Sequence, residues 1–171
     1  MRLLSFFAIC VTVILASGCA GYHLGPVNGA VAGEKSIEIV PFNNQTLQPR
    51  LGVAVTQALG ERLQTDGTYR LATRNPGDVV VTGVITAYSL KGVSFLRTDV
   101  TTAENYRVEI TAHVTARERG TGKVLLDKND VHGNTLIQVG TDLADAERQS
   151  LPLLAEDLAR NITHLLTEGA W

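Results

Sequence analysis

The side chain best placed for covalent chemistry is the thiol of Cys19, which follows the small residues Ala16-Ser17-Gly18. The other reactive residue types are scattered. The histidines are His23, His113, His132 and His164; none is paired at metal-ligand spacing and no later cysteine supports them, so no metal site is expected. Gly120-Thr121-Gly122-Lys123 resembles the end of a phosphate loop, but Arg117 stands where the first glycine is required and Val124 where Ser or Thr is required, so it reads as a turn. No Gly-x-Ser-x-Gly motif is present. The adjacent carboxylates Glu156 and Asp157 read as surface charges of a helix. No nucleophile, base or cofactor cradle is assembled, and the chain is expected to be neither an enzyme nor a cofactor carrier.

Cys19 gains its meaning from what precedes it. Arg2 is followed by the almost wholly apolar run Leu3–Leu15 and then by small residues, the three zones of a secretory signal. The run is short of the roughly 20 apolar residues of a spanning helix. Ala16-Ser17-Gly18-Cys19 resembles a lipobox, where lipid is attached to the thiol and the chain is cut before it; Leu15 lies one place earlier than the usual leucine. Residues 1–18 are therefore expected to be removed and 19–34 to form a lipidated tether, rich in glycine. One acyl chain holds a protein marginally and two signals hold it stably, so the three expected on such a cysteine make release negligible. Ala20, rather than Asp, follows the cysteine and points to the outer membrane under the enterobacterial sorting pattern.

Removing 18 residues from 171 leaves 153, a length suited to one domain with one core. Formal charge is −2 for the whole chain, which argues against general nucleic-acid binding. Both cysteines, Cys10 and Cys19, belong to the signal region, so no internal disulfide is expected.

The elements of residues 35–171 follow from hydrophobic period. Residues 36–42 read as a strand ending near Pro41, with Asn43-Asn44-Gln45-Thr46 as a turn. Leu51, Val55, Ala58, Leu59 and Leu63 make one helical stripe over about Pro49 to Gln64, closed by Asp66-Gly67. Residues 69–72 form a short strand. Val79–Tyr88 is apolar on both faces and reads as a central strand. Ser89–Thr102 reads as a polar loop. Residues 106–117 alternate strictly, which marks one buried and one wet sheet face. Gly120-Thr121-Gly122 turns the chain, and Lys123–Gly133 returns antiparallel. A stripe from Leu143 to Leu166 makes a final helix, with a bend or restart at Pro152 and an end at Gly169. The expected class is α+β: two helices packed on one face of a roughly four-stranded mixed sheet.

These residues resemble the lipopolysaccharide-assembly lipoprotein LptE family. The resemblance is carried by the cysteine followed by Gly21-Tyr22-His23-Leu24, by Ile37-Glu38-Ile39-Val40-Pro41-Phe42-Asn43-Asn44, by Glu104-Asn105-Tyr106-Arg107-Val108 opening the alternating strand, and by the hairpin leading to a long C-terminal helix. It covers essentially the mature chain. It implies a protein at the periplasmic side of the outer membrane that lodges in the β-barrel translocon LptD, helps it assemble, and binds lipopolysaccharide. An anionic lipid is met by Lys or Arg. Arg97 lies roughly where the family has a basic ligand-binding residue; Lys91, earlier in the same loop, and Lys128, in the following hairpin, are the further candidates. The Val-Pro-Phe-Asn-Asn strand also resembles periplasmic lipoproteins of the curli-secretion and penicillin-binding-protein-activator type, and that adaptor role is the alternative.

Overall fold

The computed structural model describes residues 32–96, 99–138 and 142–168. Strands β1 (Ser36–Ile39) and β2 (Asn43–Asn44) precede helix α1 (Leu51–Asp66). Strands β3 (Arg70–Leu71), β4 (Val79–Leu96), β5 (Asp99–Glu118) and β6 (Val124–Gln138) follow, and then helix α2 (Leu143–Glu168). The six strands form one mixed sheet in the order β3-β1-β4-β5-β6, with β2 also on β4. β1 and β2 run parallel to β4, while β4–β5 and β5–β6 are antiparallel. The α+β class with two helices therefore holds, on a sheet of six strands rather than four.

The added strands are short and have a physical origin. Pro41 has no N–H to donate, so the first strand stops at Ile39; the ladder resumes at Asn43 and Asn44, expected as a turn, because β4 still offers an edge there. At the break Phe42 turns inward. Its ring lies over Gly83 of β4, where a Cβ would collide with it, and its N–H donates to the Thr56 hydroxyl of α1 at 2.9 Å. The α1 stripe is as expected: Leu51, Val55, Leu59 and Leu63 are fully buried. Gly67 closes the helix in the left-handed conformation (φ 77°), its N–H bonded to the Leu63 carbonyl at 3.1 Å.

Three further expectations change. The described residues of Ser89–Thr102 are strand rather than loop: β4 continues to Leu96 and β5 starts at Asp99, so a long two-stranded ribbon stands where a polar connection was expected. β6 extends to Gln138, five residues past the expected end. α2 runs through Pro152 without a restart. The core lies between the helices and one sheet face, where Val79, Val81 and Ile85 of β4 and Val108, Ile110, Ala112, Val114 and Ala116 of β5 meet Leu154, Leu158 and Ile162 of α2. α2 approaches β6 closely at Gly133, where a Cβ would stand 2.7 Å from Leu158 Cβ and 2.9 Å from the Leu154 carbonyl oxygen.

Candidate functional site

Because β5 alternates, its odd-numbered residues from Arg107 to Arg117 all leave the sheet on the side away from the helices. The β4 and β6 residues in register with them share that face, and the result is a broad wet surface rich in Thr, His and charge. Two histidine–carboxylate pairs sit on it. His113 Nε2 lies 2.7 Å from Asp127 Oδ1, which Thr115 also approaches at 3.3 Å. That hydrogen bond from His113 is the first cause holding the Asp127 carboxyl below its ordinary value. His132 Nδ1 lies 3.2 Å from both Glu109 Oε1 and the Thr111 hydroxyl. Among the described residues no group of three His, Cys, Asp or Glu side chains is gathered to hold a metal ion.

Nearer the ribbon, one row crosses three strands. Lys91 of β4 faces Arg107 of β5, and Arg107 faces Leu136 of β6. All three are exposed, Leu136 at 62%. Among the described residues neither Lys91 nor Arg107 forms a salt bridge.

The four site residues expected from sequence are placed differently. Cys19 and Arg97 lie outside the described residues. Lys91 is on β4, exposed on the wet face. Lys128 is on β6 opposite Val114, whose side chain is in the core, so by register Lys128 lies toward the helix side and is exposed at the sheet margin. Val114 and Arg107 are seven residues apart along β5, about 23 Å at strand rise. Lys91 and Lys128 are therefore not brought together.

Sequence reasoning missed two kinds of residue. Arg107 was legible as one polar tooth of the alternating strand, but its pairing with Lys91 depends on a register set by other strands. Asp157 and Asn161 are not free surface residues of α2. The Asn134 backbone N–H donates to Asp157 Oδ2 at 2.9 Å, and Asn161 Nδ2 donates to the His132 carbonyl at 2.7 Å. They cap the open edge of β6, whose outward backbone groups would otherwise offer a pairing template.

At the opposite end, a polar clasp joins the start of β1 to β4 and the β5–β6 turn. Lys35 pairs with Glu118 at 2.8 Å, Glu38 with Arg119 at 2.5 Å, and the Ser36 N–H and hydroxyl donate to Asp78 Oδ2 at 2.8 and 2.7 Å. Those two Ser36 bonds hold the Asp78 carboxyl below its usual range. The clasp ties β1 to the start of β4 and to the β5–β6 turn at the end of the sheet away from the ribbon.

In comparison with known proteins, residues 34–166 match the model of the LptE family, described as lipopolysaccharide-assembly. No match was found among curated proteins. The fold is similar to that of a minor lipoprotein from Acinetobacter baumannii, at 13% identity and TM-score 0.51, covering 78% of this chain and 93% of that one. It is also similar to a hypothetical protein from Chlamydia trachomatis, at 10% identity and TM-score 0.53, covering 78% and 94%.

Proposed function

Because the chain belongs to the LptE lipopolysaccharide-assembly family, a family of non-enzymatic lipoproteins, we propose that it is an outer-membrane lipoprotein that occupies the lumen of the LptD β-barrel, supports its assembly, and binds lipopolysaccharide in transit. The family match over most of the chain carries this reading. The architecture supports it: one sheet face is sealed by helices and the other is wet and polar, as suits a domain lodged in a polar, water-filled lumen. β5 alone spans about 65 Å at strand rise, longer than a bilayer core of about 30 Å. Cys19 supplies the anchor on the periplasmic side of that membrane, with residues 1–18 as the cleaved signal and 35–171 as the single domain. Lys91 and Arg97 meet the anionic lipid, and Lys128 makes a separate contact.

Depletion with surface labelling of lipopolysaccharide tests the proposal. Loss of this chain is expected to lower both surface lipopolysaccharide and mature LptD; normal levels of both would refute it.

A further inference from the structure

Like charges placed directly opposite one another on a sheet destabilise it, with Cβ atoms about 5 Å apart. Lys91 and Arg107 are in that relationship, both exposed, and among the described residues neither has a carboxylate partner. Among the described residues the nearest carboxylate on the face by register is Glu109, two residues along β5, and it is turned to His132 at 3.2 Å. A fold that needed these positions only for solubility could alternate the signs. The third residue of the row is an exposed apolar side chain, Leu136, beside Arg107 on the edge strand.

We infer that the row Lys91–Arg107–Leu136 is a binding site for the phosphate of an anionic amphiphile, with the phosphate oxygens between the two cations and the start of an acyl chain along Leu136. The charge complement is specific. A phosphate carries up to two negative charges and several acceptor oxygens; the Arg107 guanidinium offers a planar fork to two of them and the Lys91 ammonium a point charge to a third. An anion seated there relieves the repulsion between the two cations, so binding and folding draw on the same pair. Leu136 distinguishes an amphiphile from a free anion, because only a ligand with a hydrocarbon portion next to its phosphate covers it. This site rests on the lipopolysaccharide-binding reading above and adds Arg107 and Leu136, which that reading does not contain.

The test uses the full lipidated chain in detergent, titrated with fluorescent lipopolysaccharide, with the same lipopolysaccharide stripped of its lipid phosphates, and with inorganic phosphate as competitor. Arg107→Glu should weaken binding of intact lipopolysaccharide at least about tenfold, in line with loss of a hydrogen bond to a charged group. The same variant without lipid should melt at a higher temperature than wild type, because the substituted carboxylate would face Lys91 as an opposite charge. Arg74→Gln, at an exposed turn arginine, is the charge control and should change neither. Phosphate-stripped lipid should bind wild type and Arg107→Glu alike. The inference is overturned if Arg107→Glu binds intact lipopolysaccharide as wild type does. It is also overturned if inorganic phosphate competes as well, per phosphate, as the lipid. If wild type binds no lipopolysaccharide, the parent reading of lipid binding falls with it; if wild type binds and the variant is unaffected, only this site falls.

Discussion

The Asp157 carboxylate of α2 accepts the backbone N–H of Asn134 on β6 at 2.9 Å. Three residues of helix later, on the next turn, Arg160 pairs back to the same carboxylate at 2.8 Å, fixing it over the strand. A helix side chain thus takes the place of a neighbouring strand. Asp157→Ala is expected to cost about 1.5–3 kcal/mol, the range for a hydrogen bond to a charged group, and to increase self-association through the freed edge. Urea unfolding and light scattering measure the two effects; unchanged values for both would show that the cap contributes nothing.

Phe42 and Gly83 form an obligate pair. Any Cβ at Gly83 enters the Phe42 ring, so Gly83→Ala should destabilise by about 1–3 kcal/mol through overpacking. The damage should be smaller when the ring is already gone. A double-mutant cycle with Phe42→Ala is expected to give a coupling of at least about 0.5 kcal/mol, and strict additivity would contradict the contact.

Tyr88, where β4 leaves the core, has a buried hydroxyl with no hydrogen-bond partner among the described residues. Burial first, then the Glu147 carboxylate, pushes its pKa up to about 12. Tyr88→Phe should therefore leave stability unchanged or raise it, since an unsatisfied polar atom is removed. The sign with pH follows. The unfolded phenol loses its proton near 10 while the folded one keeps it, so wild-type stability should fall as pH rises from 10 toward 12, and Tyr88→Phe should fall less steeply. Melting curves across that range test both statements; equal slopes for the two proteins would contradict the second.

The Lys35–Glu118 pair of the basal clasp gives a two-sided pH dependence. The Lys35 hydrogen bond, with help from Thr121, lowers the Glu118 carboxyl from 4.5, so its contribution is present above that value and lost as pH falls through the native one. The same bond raises Lys35 from 10.5, so its contribution is present below that value and lost as pH rises through the native one. Glu118→Gln should be less stable than wild type between those limits and converge with it outside them. A constant difference across the whole range would refute the assignment.

Much of the fold was legible because period and burial agree. The α1 stripe, its Gly67 stop and the buried face of β5 all follow from side-chain spacing alone. The ribbon of β4 and β5 was not legible, because register shifts between Ile85 and Ala87, and again around Gly92–Leu96, break the two-residue alternation that marks a strand. β6 hides in the same way. A shift opposite Ala112–Val114, with Asp130 at φ 60°, reverses its phase midway. For the candidate site, sequence found Lys91 as a lone charge. Its partner Arg107, and the use of Asp157 and Asn161 as edge caps, depend on contacts across strands or between helix and sheet, and one-dimensional spacing does not contain them.

We have proposed that this domain works inside a barrel while anchored by its acylated first residue. Native mass spectrometry of the chain isolated from outer membranes in detergent tests it most directly. The expected species is one copy of residues 19–171, triacylated at Cys19, bound to one LptD barrel. A chain recovered alone, or as a ring of its own copies with no barrel, would rule out that assembly.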